Sequence, residues 1–308
     1  RCIMSGNKDL DLRALASAKK YMGDFAWPTV VLGVVVFVLY IVTPALVIAG
    51  QMPLLPAMVL MALLTYAAYT VLHEAAHGTI SGSHSSLRWL NELMGYMAAW
   101  ILMIPLTAHR HEHLAHHRHT NDPEKDPDSI LADVGRSPWR AVALVTRVYF
   151  EQFTYYRENR WNRGPRKQDI QLVLEVLAAL LPRLAFIAAG YWLEGLALFV
   201  VAELAGLLIL LYLFAYIVHR PHESVGRYVD TSTIIVPGPL GKLVTAAWGW
   251  QNYHSIHHLF PRVPFYRYAK LFDEIEGTMI ASGAPIYRLG LGGMIRENRQ
   301  YYPDLQPR

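Results

Sequence analysis

Ten histidines of this 308-residue chain fall in four short runs: HEAAH at 73–77, HLAHH at 113–117, VHRPH at 218–222 and HSIHH at 254–258. His73 and His77 are four apart and share one face of a helix. His113, His116 and His117 repeat the spacing i, i+3, i+4, and so do His254, His257 and His258. Each triplet can converge on one centre or bridge two. His219 and His222 compete for one further place, and His219 is preferred. The three boxes with His219 supply nine imidazoles, more than the three or four ligands of a zinc site. Two metals would each be served by about four or five of them. Imidazole suits iron, copper and zinc. An all-nitrogen set without thiolate, and with few carboxylates, fits a pair of irons that meet dioxygen.

The residues around the boxes sort by what they can do for a ligand. Asp122 and Asp126, in NDPEKDPD, can accept a hydrogen bond from the outer ring nitrogen of a ligand histidine and fix its tautomer. His222 is read as a neighbour of the site. Gln251 and Asn252, next to the third box, can orient a ligand or a bound water. His109, His111 and His119 flank the second box more weakly, and His84 reads as a loop residue. HExxH has a competing meaning, because in zinc proteases Glu74 would be the general base.

Such a set needs elements to carry it. The chain is 53% hydrophobic and 17% charged. Four apolar runs, about residues 27–49, 54–72, 171–193 and 195–218, are each near the ~20 residues that cross a bilayer as helix. They pair as hairpins through GQMP and through EG at 194–195. Neither turn carries Lys or Arg, which crowd the N-terminal segment, residues 73–170 and the tail after 218. By the positive-inside rule those segments share the cytoplasmic side, and the histidines with them. The expected fold is all-α and integral to the membrane: one domain over 1–308, with hairpins at 27–72 and 171–218. A cytoplasmic loop (73–170) and tail (219–308) form a histidine-rich cap. A shorter apolar run at 93–107 is expected to lie in the interface or dip into the membrane. Pro44 and Pro182 fall inside spans. Glu203 lies mid-span, where a carboxylate is a functional candidate unless it is protonated or paired within the bundle. The single cysteine, Cys2, leaves no disulfide framework and no thiolate cluster. The net charge of +4 is mild and reads as membrane topology, not nucleic-acid binding. The first ten residues lack a signal-peptide layout, and Met4 reads as the natural start.

With these motifs in place, the chain resembles the membrane di-iron superfamily of fatty acyl desaturases, alkane hydroxylases, and carotenoid ketolases and hydroxylases. HExxH, HxxHH and HxxHH in this order, split by membrane hairpins, is that pattern. HEAAHG, HLAHHRHTNDPEKDPD, VHRP and GWQNYHSIHHLFPRVPFYRY are most similar to the desaturase-like β-carotene hydroxylases, over about residues 65–270. One departure is HE where those hydroxylases usually carry HD, which bears on the substrate and not on the metals. The resemblance implies His73, His77, His113, His116, His117, His219, His254, His257 and His258 as ligands of two iron ions. It also implies O2 as co-substrate and electrons from a ferredoxin, rubredoxin or cytochrome b5-like donor.

The activity so implied is oxidation of an unactivated C–H bond in a long apolar molecule drawn from the bilayer. A carotenoid ring heads the list and a lipid acyl chain is the alternative. Tyr66, Tyr69, Trp100, Phe214 and Trp248 are candidates to line the substrate slot. Arg136, Arg140, Arg262 and Arg267 are candidates to dock an acidic donor. An intramembrane zinc protease and a metal transporter or sensor are the other readings.

Overall fold

Apolar length decides the frame. The computed structural model describes residues 2–297; the side chains of residues 1–7, and with them the expected start at Met4, lie outside that description. Helix α1 (Cys2–Lys19) precedes four helices long and apolar enough to cross a membrane. These are α2 (Trp27–Ile48), α3 (Leu54–His77), α7 (Arg166–Ala188) and α8 (Trp192–His219). On α2 and α7 the exposed faces are themselves apolar, with Val31, Val35, Val38, Leu174, Leu181 and Leu184 turned outward. A helix in contact with hydrocarbon presents such a face. Pro44 and Pro182 lie inside α2 and α7, as read from the sequence.

The span boundaries move in ways that matter. Helix α3 continues beyond residue 72 and carries His73 and His77 itself. It stops there because Gly78 takes the left-handed conformation, φ 71°, that closes a helix C-terminus. The second short connection is not EG at 194–195. It is residues 189–191, where Gly190 has φ 103° and α8 starts at Trp192. Helices α3 and α8 pack closely at Gly206, where a Cβ would stand 2.6 Å from the Ala62 carbonyl oxygen.

The segment 73–170 is more than a loop. It holds α4 (Arg88–Leu102), α5 (Leu106–His119) and α6 (Pro138–Asn159). Helices α4 and α5 meet at 96° across residues 103–105, so the apolar run at 93–107 turns back on itself. Pro105 and the positive φ of Met103 make that corner. The serine N-cap of α6, Ser137, accepts from Arg140 N, and Pro138 opens the helix.

After α8 the chain forms β1 (Thr233–Ile235), α9 (Gly241–Ala247), α10 (His254–Leu259), α11 (Tyr268–Ala281), β2 (Ile286–Gly290) and β3 (Gly293–Arg296). The strands correct the all-α expectation. β1 pairs parallel with β2, and β2 antiparallel with β3. The β-branched run Thr233, Ile234, Ile235 favours this pairing. A second apolar core forms where α1 lies on α11, with Ala14, Ala18, Ile256, Tyr268, Leu271 and Met279 buried. That core holds α10, and with it the third box, against the end of α3.

Two charged side chains buried within the apolar helices find partners. Glu203 accepts from Thr65 Oγ1 (3.1 Å) and Tyr40 Oη (3.2 Å), so the reading of a carboxyl paired within the bundle holds. The sequence reading passed over Arg183, which is buried in α7. Its guanidinium donates to Tyr40 Oη and to the carbonyls of Trp100, Ile101 and Ala179, and lies 4.7 Å from the Trp100 ring centre.

Candidate metal centre

Four elements deliver the boxes to one place. The end of α3 brings His73 and His77, α5 brings His113, His116 and His117, the end of α8 brings His219, and α10 brings the third box. Eight of the nine histidines divide into two groups whose ring nitrogens lie within 4.8 Å of one another: His73, His77, His113, His117 and His257, then His116, His219 and His258. In the first group Nε2 of His113 is 2.9 Å from Nε2 of His77 and 3.1 Å from that of His117. Nε2 of His117 is 2.9 Å from Nε2 of His257. Two nitrogens held at right angles, ~2.1 Å from one metal ion, stand ~3.0 Å apart. Both ring nitrogens of His73 are buried without a hydrogen-bond partner, which leaves its one lone-pair nitrogen free for an ion.

The second group is set by tautomers. Nδ1 of His116 faces Asp126 Oδ1 at 2.8 Å, and Nδ1 of His219 bonds the Ala215 carbonyl. Thr120 donates its hydroxyl to the His116 carbonyl (2.9 Å) and can only accept from Nδ1 of His258, 3.3 Å away. All three outer nitrogens therefore donate, so the Nε2 atoms of His219 and His258 turn lone pairs inward, and that of His116 does so once its ring is neutral. Nε2 of His116 and His219 meet at 3.0 Å, and Nε2 of His258 is buried without a partner. Burial works against a proton on His116, but Asp126 and Asp128 outweigh it and push the ring up to about 9. A cation among the three would displace that proton. Burial, and then the neighbouring imidazoles, hold His254, His257 and His258 well below their usual 6.5, in the neutral form a metal needs.

His254 stands apart from both groups. Its ring lies 4.7 Å from that of His219 and 4.8 Å from that of His258, and its Nδ1 is 3.0 Å from Gln251 Oε1. Gln251 thus has the expected contact with a box histidine, as does Asp126. Asp122 does not: it accepts from the backbone N–H of Glu124 and Lys125 in an exposed turn. Nor does Asn252, whose amide donates to Ile234 O and Thr245 Oγ1 and ties α10 to β1. His222 stacks on Tyr216 and has positive φ; it borders His116 and His219 without joining them. His109 is buried against Gln152, His111 pairs with Gln168, and exposed His84 lies in a loop. Two contacts had no sequence signal, Tyr268 Oη at 2.9 Å from His257 Nδ1 and Thr120 on His258, while Asp128, at 3.7 Å from His116, belongs to the acidic run NDPEKDPD in which Asp122 and Asp126 were preferred. Spacing cannot announce partners that arrive from other elements.

Glu74, between His73 and His77 in sequence, points away from them. Its oxygens accept from Thr29 Oγ1 (2.5 Å) and Phe265 N (2.6 Å), so it clamps α2 to the segment after the third box. With both oxygens engaged there, it is not poised as a general base.

An apolar cleft ends on the histidines. Leu207, Leu210, Leu211 and Phe214 of α8 and Val145, Val148 and Tyr149 of α6 form its walls, and His113, His116, His219 and His254 close it. A π-helical turn at Leu211–Tyr216 widens α8 where Phe214 meets the cleft. Of the expected lining residues, Tyr69 and Phe214 face it. Tyr66 donates to Trp248 O and Trp248 Nε1 to Leu213 O, both as braces outside the cleft lining. Trp100 lines a separate groove between α4 and α7.

Several known proteins are similar to this chain. A zeaxanthin 4-ketolase from Chlamydomonas reinhardtii is 26% identical over 68% of this chain and 42% of its own length. A beta-carotene ketolase from Haematococcus lacustris is 29% identical over 57% of this chain and 43% of its own. An sn-1 acyl-lipid omega-3 desaturase (ferredoxin) from Nostoc sp. (strain 36) is 22% identical over 66% of this chain and 49% of its own. The chain thus spans less than half the length of each of these relatives. The family model for fatty acid desaturases matches residues 49–290, a stretch that takes in both histidine groups and the cleft they close, and the chain belongs to the fatty acid desaturase family.

Proposed function

We propose that this chain is an O2-dependent membrane oxidoreductase that holds two irons and hydroxylates an apolar lipid, with a β-carotene-type ring as the preferred substrate. One observation carries the reading: two sets of inward-turned imidazole nitrogens close the end of an apolar cleft. His73, His77, His113, His117 and His257 would hold one iron; His116, His219 and His258 would hold the other, with His254 beside it. When bound, the pair supplies the two-electron activation of dioxygen.

The chain's own residues do the rest. Asp126, Thr120 and the Ala215 carbonyl keep protons on the outer nitrogens of His116, His258 and His219, so their Nε2 atoms stay available. The leucines of α8 and the valines of α6 exclude water and aim one carbon of the substrate at the closed end. Hydroxylation and desaturation share the first hydrogen abstraction and part at the second step. The ketolase relatives favour the carotenoid ring, and the acyl-lipid desaturase relative keeps desaturation of a lipid acyl chain as the second reading. In this reading the chain is a single multi-pass membrane domain of two hairpins. The histidines face the cytoplasm, where a ferredoxin, rubredoxin or cytochrome b5-like donor supplies electrons.

Expression in a carotenoid-producing host, with chromatography of pigments and fatty acids together, tests the proposal. A new hydroxylated carotenoid is the expected result. A new cis double bond in lipid with carotenoids untouched would replace hydroxylation by desaturation. Zinc in place of iron in the purified protein would end both.

A further inference from the structure

The histidine groups have a second approach, unlike the apolar cleft. A polar cleft on another side is lined by Lys19 of α1, Arg88 of α4, Arg110 of α5 and Arg262 after α10, and it reaches His77. His77 is half-buried there, while His73 one turn earlier is fully buried. Glu92 is the carboxylate in the cleft, and it is held by Arg110 at 2.7 Å. Arg110 and Asn91 also bond the Ala75 carbonyl, at 3.1 and 3.0 Å, and so fix the cleft wall to the turn that carries His77. Lys19, Arg88 and Arg262 are exposed, and no carboxylate pairs with them among the described residues. By contrast Arg136 and Arg140 both lean on Asp133, at 3.0 and 3.4 Å, which spends their charge locally.

Resting on the redox reading above, we propose that this cationic cleft docks a small acidic iron–sulfur protein and that electrons enter through His77. Substrate and donor would then approach from different sides, so one need not leave before the other binds. His77 is the natural point of entry: its ring borders the cleft, and its Nε2 lies 2.9 Å from that of His113 inside the first group. Each docking passes one electron from the donor, which is oxidised. Two dockings, two protons and one O2 balance the conversion of one C–H to C–OH with release of one water. Steering by like-signed charge around a cleft raises association rates and falls with salt.

The test uses the full-length protein, prepared without metal and with iron, and a plant-type [2Fe–2S] ferredoxin as probe. The pair Arg88→Glu and Arg262→Glu should weaken ferredoxin binding to the metal-free protein by roughly tenfold or more at low salt. The difference should close near 1 M salt, where the screening length is about 3 Å. The milder pair Arg88→Gln and Arg262→Gln should lose less, and Arg136→Glu with Arg140→Glu should bind as the parent does. Reduction of the iron-loaded variants by a photoreduced deazaflavin, which needs no docking, should be unchanged. No binding by the parent, or binding that ignores the cleft pair, overturns the proposal. A protein that takes up no iron but still binds ferredoxin through this cleft would sink the proposed function and leave the docking surface standing.

Discussion

Tyr268 Oη lies 2.9 Å from Nδ1 of His257, on the ring edge opposite the Nε2 that meets His117 at 2.9 Å. Asp126 stands in the same relation to His116. Such outer partners fix ring orientation and typically contribute about 10–100-fold to metal affinity. Tyr268→Phe and Asp126→Asn should each weaken iron retention by that order while the fold persists. Competition with a graded chelator measures it.

The split into two groups predicts iron content. The parent should carry about two irons per chain. His117→Ala and His258→Ala, one from each group, should each drop that content and abolish turnover. Elemental analysis with a turnover assay reads both, and full activity in either variant would contradict the grouping.

Glu74 separates an oxygenase from a zinc protease. Its carboxylate clamps Thr29 and Phe265 N. Removing it leaves buried donors unpaired, at about 1–3 kcal/mol each. Glu74→Ala should therefore melt earlier yet turn over, below the melting range, within a few-fold of the parent. A protease would lose all activity.

Leu210 lines the cleft on α8. Leu210→Trp should narrow the cleft on the way to the histidines and cut turnover severely while iron content stays at the parent value. Equal turnover by the variant would show that substrate enters elsewhere.

The histidines make stability depend on pH in both directions. His254, His257 and His258 are held well below 6.5 in the folded chain, chiefly by burial, and His222 is lowered to about 4, chiefly by burial. Below 6.5 the unfolded chain binds more protons, so their contribution is present above that value and is lost as pH falls toward their folded values. His116, pushed up to about 9, works the other way: its contribution is full below 6.5 and is lost as pH rises through about 9. The metal-free protein should therefore show its highest melting temperature between those limits, with a clear drop by pH 5. Thermal melts across pH on the metal-free protein check this.

The gathering of the histidines was largely legible in the sequence, because i, i+3, i+4 spacing on a helix is a local property and four apolar runs near 20 residues leave few arrangements. Asp126 and Gln251 were also within reach, since each lies ten residues or fewer from its histidine. The division of the histidines was not legible. His113 and His117 go to one group and His116, between them, to the other, because successive faces of α5 meet α3 with His257 of α10 on one side and the end of α8 with His258 of α10 on the other. Tertiary packing alone brought Tyr268 to His257, turned Glu74 away from the histidines and aligned α6 against α8 to make the cleft. The short sheet arose in the same way, since β1 and β2 are some fifty residues apart and neither is long enough to stand without the other. Periodicity encodes which face a residue takes on its own element; which other element meets that face is decided by packing across the whole chain.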